Sequence, residues 1–318
     1  MRGNTHTTRI LVTGGAGFIG SAYVRALLRA GGSARTVVTV LDKLTYAGST
    51  DHLSAVWHHP DFAFVRGCAC DADLVDGLVA RHDQIVNIAA ESHVDRSIRD
   101  GGAFMRTNVL GTQTLLDAAV RHGTELFLQV STDEVYGSLA EGAADENAAL
   151  HPSSPYSASK ASADLVALSY ARTHGLDVRV TRCANNFGPR QYPEKLVPVL
   201  LTRLLEGGNL PIYGDGRHTR DWLYVDDHVR ALEVVRSSGA PGEIYNIGGT
   251  EAMTNLELAQ RLLDRFGTGR EKIEYVSDRK GHDRRYAVDA TKLFEELGFW
   301  PQVSFEDGLK RTFDWYST

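Results

Sequence analysis

Only three cysteines occur among the 318 residues, Cys68, Cys70 and Cys183. An odd number cannot close a disulfide framework, and a Cys-x-Cys with one distant partner falls short of a zinc ligand set. Free thiols and no metal are therefore expected. Long apolar runs are also missing. No stretch approaches the roughly 18 residues of a membrane span, and residues 1–8 are polar and threonine-rich, without the apolar core of a signal peptide. Basic charge is not in excess: Lys and Arg number 34 against 40 acidic residues, a net charge of −6. That leaves no footprint for nucleic acid. Internal repeats and low-complexity tracts are absent as well. What remains is a cytoplasmic globular chain whose partner is neither a membrane nor a nucleic acid.

The chain is long enough to bury a large core in one large or two unequal domains. Arg9–Thr13, Thr36–Leu41, Phe62–Val65, Gln84–Ile88 and Leu126–Val130 are short apolar runs of strand type. Helical patterns lie between and beyond them, at 21–30, 71–81, 103–122 and 156–173. Strands alternating with helices predict an α/β fold, a Rossmann-type doubly wound parallel sheet. Beyond residue 180 the rhythm breaks at Pro189, Pro193, Pro198 and Pro211. A dinucleotide-binding domain over 1–180 is expected, with segments returning to it from about 219–250. Residues 181–318 are expected to form mainly a smaller, mixed α/β substrate domain. The helix from Tyr156 to Thr173 is apolar on more than one face, which suits burial on two sides. Its second side could meet another subunit or simply more of the monomer core.

Gly14, Gly17 and Gly20 fall between the first strand and the first helix. A tight turn, close approach to a pyrophosphate and a helix N-terminus aimed at its charge all require that spacing. Asp42 closes the second strand, where a carboxylate accepts hydrogen bonds from an adenosine ribose and repels a 2′-phosphate. NAD is therefore expected over NADP, with the adjacent Lys43 as the one opposing feature. After the fifth strand comes Ser131-Thr132-Asp133-Glu134-Val135-Tyr136-Gly137, and then Tyr156-x-x-x-Lys160. Residues four apart share a helix face, and an ammonium beside a phenol favours the phenolate. Two adjacent carboxylates exceed what alcohol oxidation needs and point to a second proton-transfer reaction.

With these motifs in view the chain resembles the extended short-chain dehydrogenases, specifically the dTDP-glucose 4,6-dehydratase family, over residues 9–316. Further segments carry the likeness: Leu41 to Gly48, Ala89 to Ser97, Arg182 to Pro189, Pro193 to Leu196, Arg220 to Trp222 and Asp278 to Asp283. The resemblance implies that Tyr156, beside Lys160, takes the proton of the sugar 4-hydroxyl while NAD accepts hydrogen from C4. Thr132 would bond the same oxygen, Glu134 would remove the C5 proton and Asp133 would protonate the departing C6 hydroxyl. For NAD the matching implies Gly14, Gly17, Phe18, Ile19, Gly20, Asp42, Lys43, Leu44, Thr45, Cys68, Ala69, Ala89, Ala90, Thr107, Tyr156, Lys160 and Asn186. For the nucleotide sugar, dTDP-glucose, it implies Ser92, Thr132, Asn185, Lys195, Leu196, Pro211, Tyr213, Arg220, Asn255, Arg279 and His282. Arg220 and Arg279 suit a diphosphate, since guanidinium forks match phosphate oxygens. A homodimer pairing the helices near 104–122 and 156–173 is also implied.

One departure stands out. Where the family has Gly-Asp-Ile after the third strand, this chain has Gly67-Cys68-Ala69, so the adenine contact is expected to be weaker. Rival readings are a 4-epimerase or decarboxylase of the same superfamily, and a catalytically inactive NAD-binding sensor. Neither has a use for Asp133 and Glu134 together with Thr132, Tyr156 and Lys160.

Overall fold

The computed structural model describes residues 7–30 and 35–317. Residues 1–6 of the threonine-rich start lie outside the described residues. In chain order the elements are β1 (Thr7–Thr13), α1 (Phe18–Arg29), β2 (Arg35–Asp42), β3 (Phe62–Arg66), α2 (Ala72–Val79), β4 (Gln84–Asn87), α3 (Val94–Arg99), α4 (Gly101–Phe104), α5 (Gly111–His122) and β5 (Leu126–Thr132). There follow α6 (Pro155–His174), β6 (Val178–Cys183), β7 (Asn185–Phe187), α7 (Leu196–Leu205), β8 (Leu210–Tyr213), β9 (Thr219–Tyr224), α8 (Val225–Ser238) and β10 (Ile244–Ile247). The last are β11 (Glu251–Thr254), α9 (Asn255–Phe266), β12 (Ile273–Val276), α10 (Thr291–Leu297) and α11 (Phe305–Tyr316).

Seven strands form one sheet in the order β10-β6-β5-β4-β1-β2-β3. β1 pairs in parallel with both β2 and β4, the point where the strand order reverses. Ligands of such sheets bind outside the carboxyl ends of the strands at that switch. All seven residues of β5 are buried, as expected of a strand covered by helices on both faces. Leu11, Ile85, Leu115, Leu116, Phe127 and Val178 meet in the core with no exposure. Three strands, β11, β9 and β7, form a smaller mixed sheet, and β12 and β8 pair in parallel.

The chain divides into two compact units. One holds Met1–Thr132, Pro155–Arg182 and Val229–Tyr245; the other holds Asp133–Ser154, Cys183–His228 and Asn246–Thr318. The expected boundary at 180 therefore misses residues 133–154, which join the second unit. The cause is local: Tyr136 donates to Asn246 Oδ1 at 2.8 Å, and Asn246 Nδ2 donates to the carbonyl of Ala144 at 2.9 Å. The returning segment is also shorter than 219–250, because β9 is tied to β7 and β11.

A single helix was expected over 103–122. Instead α4 runs into a π-helical stretch, Met105–Leu110, before α5 begins. The widened turn carries Asn108, whose amide accepts from Glu91 N at 2.9 Å and donates to Glu91 O and Ser159 Oγ at 3.0 and 2.8 Å. Such bulges recur at functional sites. Among the described residues no helix is long and apolar enough to cross a membrane.

Candidate active site

In the first unit the predicted cofactor residues gather at the carboxyl ends of β1 to β4. Gly14 sits at φ +69°, and a Cβ there would lie 2.7 Å from the backbone of Ala89. Only glycine tolerates both conditions. Gly20 faces the Gly14 carbonyl so closely that any side chain would collide with it. Gly17 caps α1 with no side-chain bond, so the N–H groups of a twelve-residue helix remain aimed outward, as a pyrophosphate needs. Phe18 and Ile19 open that helix, half-buried. Asp42 is buried, and its oxygens accept from Ala16 N at 2.9 Å and Leu44 N at 2.8 Å. The carboxylate thus holds the glycine turn and its own loop in register while keeping lone pairs for a ribose.

Lys43 and Thr45 are exposed on that loop. The Arg96 guanidinium lies 3.7 Å over the Tyr46 ring, which joins this loop to the one after β4. Ala89 and Ala90 stand there half-buried with Ser92, and Ala89 N donates to Thr13 Oγ1. Thr107 lies in the π-helical stretch. Cys68 and Ala69 follow β3, and Asp71 beside them caps α2 by accepting from Leu74 N at 3.2 Å. Cys70 donates to the carbonyl of Arg106, and burial, then Cys68, pushes its thiol up to about 11.

Tyr156 and Lys160 stand one turn apart on α6, 8% and 4% exposed. The Lys160 ammonium donates to the carbonyl of Val130 at 2.6 Å. Phe104 meets the Tyr156 ring edge-on at 6.2 Å, and Ser159 bonds the Tyr156 carbonyl and receives Asn108. The start of α6 is thereby fixed to the π-helical stretch. Thr132 ends β5, buried.

In the second unit Asp133 and Glu134 open a 3-10 turn, Asp133–Tyr136. Burial raises the Glu134 pKa, although Arg279, Lys195 and Arg220 pull it down. Arg220 is 5% exposed, a buried charge. Its Nη1 and Nη2 donate to the carbonyls of Thr219 and Asp283, and its guanidinium lies 4.2 Å over the Tyr286 ring. Lys195 and Leu196 stand at the start of α7, Pro211 and Tyr213 on β8, and Asn185 and Asn186 on β7. Oδ1 of Asn185, Asn186 and Asn255 and Nε of Arg279 are buried without a protein partner. Buried polar groups are rarely left so, and these positions were assigned to ligands from sequence.

His282 Nδ1 bonds Asp278 at 2.7 Å, and its ring stacks on His218 at 3.6 Å with 12° between planes. Ligand atoms of His218, Asp278 and His282 come within 4.8 Å of one another. Stacked imidazoles cannot both point an in-plane lone pair at one ion, so the cluster does not offer the converging donors a metal requires. Sequence reasoning gave no role to Tyr286, His218 or Asn108. Each touches residues distant in sequence, and no spacing rule links Asp283 and Tyr286 to Glu134.

A family model for GDP-mannose 4,6 dehydratase matches residues 11–312. The chain is 59% identical over 310 residues to a dTDP-glucose 4,6-dehydratase of Streptomyces griseus, covering 98% of this chain and 94% of that one. The chain belongs to the dTDP-glucose 4,6-dehydratase family. DesIV, the dTDP-glucose 4,6-dehydratase of Streptomyces venezuelae solved with NAD and TDP bound, superposes with a TM-score of 0.94 at 52% identity, covering 97% of each chain. A UDP-glucose 4-epimerase of Thermotoga maritima reaches 0.89 at 34% identity, over 97% of this chain and 98% of that one. The fold is thus common to dehydratases and epimerases.

Proposed function

We infer that the protein is an NAD-dependent dTDP-glucose 4,6-dehydratase, a hydro-lyase that makes dTDP-4-keto-6-deoxyglucose. The observation that carries this reading is the acid pair Asp133-Glu134, one peptide bond beyond Thr132, in a chain that also holds Tyr156 and Lys160 on one face of α6.

NAD, when bound, supplies the two-electron acceptor that takes hydrogen from C4 and gives it back at C6. Gly14 to Gly20 and Asp42 fit that cofactor: an uncapped helix start for its pyrophosphate and a carboxylate for its ribose. Tyr156 takes the proton of the 4-hydroxyl, helped by the Lys160 charge, and Thr132 bonds the same oxygen. The resulting ketone acidifies C5. Glu134 removes the C5 proton, the C–H electron pair becomes the C5–C6 double bond, and the C6–O bond breaks. Asp133 protonates the departing hydroxyl, which leaves as water. Glu134 then returns its proton to C5, Tyr156 releases its proton to solvent and Asp133 is reprotonated from it. The sum is loss of one water.

Arg220 and Arg279 are assigned to the diphosphate, and Lys195, Asn185, Asn255, Leu196, Pro211, Tyr213, Ser92 and His282 to the rest of the nucleotide sugar. A cytoplasmic homodimer completes the reading. Met105, Leu110 and Leu165, 45%, 51% and 59% exposed, support it, since large apolar side chains on neighbouring helices suit a partner. Light scattering at micromolar concentration should give the dimer mass; a monomer would count against the pairing.

The activity test is incubation with dTDP-glucose and, separately, UDP-glucose, followed by mass and proton NMR. A product lighter by one water with a new C6 methyl signal, formed without net use of NAD, is expected. A product of unchanged mass inverted at C4 would make the protein an epimerase.

A further inference from the structure

The mechanism above gives no task to Tyr286, yet this side chain is 3% exposed and lies between two carboxylates. Its hydroxyl is 2.8 Å from Asp283 Oδ2 and 3.4 Å from Glu134 Oε2. Its ring is clamped under the Arg220 guanidinium at 4.2 Å, and Arg220 also donates to the Asp283 carbonyl at 2.9 Å. Rotation of the ring is therefore restricted, and the two oxygen distances are set by the scaffold.

A phenol has one proton and oxygen lone pairs. The shorter contact takes the proton, so Tyr286 donates to Asp283 and turns a lone pair toward Glu134. Against an ionised Glu134 that is an acceptor facing an acceptor. Against a protonated Glu134 it is a hydrogen bond waiting for its donor. Hydrogen bonding to the neutral form of an acid raises its pKa.

We propose that Tyr286, oriented by Asp283, is a positioning residue that strengthens Glu134 as the C5 base by accepting a hydrogen bond from it once the proton has arrived. This rests on the dehydratase reading. In the step itself the C5–H bond breaks, the proton passes to a Glu134 oxygen, and the electron pair forms the C5–C6 double bond. The C6 hydroxyl departs as water with the proton of Asp133, and Tyr286 neither gains nor loses a proton. The need for such support follows from the other charges that face Glu134. Lys195, Arg220 and Arg279 all favour its ionised form, and only burial and Asp283 oppose them. Burial, then Glu134, keeps the Tyr286 phenol itself far above its ordinary range, so it stays a neutral donor and acceptor throughout.

The test compares wild type, Tyr286→Phe and Asp283→Asn. The first keeps the ring under Arg220. The second lets an amide donate to the phenol oxygen and turns its proton toward Glu134. Both should move the acid limb of the kcat profile to lower pH by about one unit and lower the plateau up to about tenfold, since a one-unit weaker base loses up to that factor. KM should stay within about twofold. Reduced cofactor should rise to a higher steady level on mixing, and uptake of deuterium at C5 from heavy water should slow. If either variant fails to fold, 3-fluorotyrosine at position 286 keeps the shape and weakens the acceptor, and should shift the limb part of the way. Variants that fold, raise KM alone and leave both the limb and the reduced-cofactor level unchanged would overturn the role given to Tyr286. Wild-type protein that forms no dehydrated sugar would instead overturn the reading beneath it.

Discussion

In the first unit the reactive side chains are held by regular backbone: Tyr156 and Lys160 lie one turn apart on α6, and Lys160 is tied to the carbonyl of Val130 in β5 at 2.6 Å. Deeper charge is closed as a pair, with Arg182 donating to Asp164 at 3.0 Å and their side chains 2% and 0% exposed. In the second unit Asp133 and Glu134 leave a 3-10 turn, and their surroundings come from four separate places: Lys195 before α7, Arg220 on β9, Arg279 after β12, and the Asp283–Tyr286 loop. Position by helix periodicity survives a change in any one neighbour. Position by assembly depends on all of them. In the proposed mechanism the oxidation chemistry falls to the robust half and the elimination chemistry to the tuned half.

The largest effect that separates the two halves is kinetic. Tyr156→Phe should lower turnover by about 10³-fold, the middle of the range for losing a positioned acid or base, and leave the cofactor oxidised. Glu134→Gln should lower product formation by a similar factor, but with reduced cofactor accumulating, because oxidation at C4 still proceeds. Stopped-flow absorbance distinguishes the two. If both variants stop at the same step, the division of labour between the units is wrong.

Next comes stability. Arg182→Met leaves Asp164 buried without its ion-pair partner, a loss of about 3–5 kcal/mol. Burial already pushes the Asp164 carboxyl up against the pull of Arg182 and Lys160. In the second unit Arg284→Met breaks a pair to Asp215 whose side chains are 49% and 52% exposed, and should leave the urea midpoint where it is. A comparable loss from both would mean that exposure is not what separates these pairs.

The same contrast explains what could be read from the sequence. Glycine spacing, Asp42 at a strand end and Tyr-x-x-x-Lys are local patterns, and local geometry suits them to the roles proposed; β1 to β5 and α6 fall within a few residues of their expected bounds. The π-helical stretch at Met105–Leu110 was invisible because Asn108 earns its place through Glu91 and Ser159, 17 and 51 residues away. Residues 133–154 follow β5 in the chain yet join the second unit, through Asn246, 110 residues from Tyr136. No window of sequence contains such partners.

A smaller effect probes acid sensitivity. His228, 0% exposed, has its pKa lowered to about 3 by burial, and neither ring nitrogen has a protein partner. Its folded pKa lies below its unfolded value near 6.5, so the unfolded chain binds the extra proton first. The contribution is fully present above about 6.5 and is lost as pH falls toward about 3, with a slope of up to ~1.4 kcal/mol per pH unit. His228→Leu should flatten that slope in urea titrations at pH 7.5 and 5.0. An unchanged slope would place the acid sensitivity elsewhere, with His218 and His282, both also lowered first by burial, next to be tested.

The smallest expected effect concerns the first unit alone, at Cys68. The family resemblance puts a carboxylate there to accept from the adenine amino group, and a thiol is a far poorer acceptor. NAD should therefore be held less tightly than a carboxylate would hold it, and Cys68→Asp should tighten binding by about tenfold, the equivalent of 1.4 kcal/mol. Asp71, three residues on, could in principle substitute. Its carboxylate is already engaged as the cap of α2, accepting from Leu74 N, so Asp71→Ala should cost about 1 kcal/mol of stability and leave NAD affinity nearly unchanged. Calorimetric titration of NAD into the two apo variants decides between them. A sharp loss of affinity in Asp71→Ala with none gained in Cys68→Asp would show that the loop after β3 reads adenine through Asp71, and that the first unit too has moved a contact away from where local sequence places it.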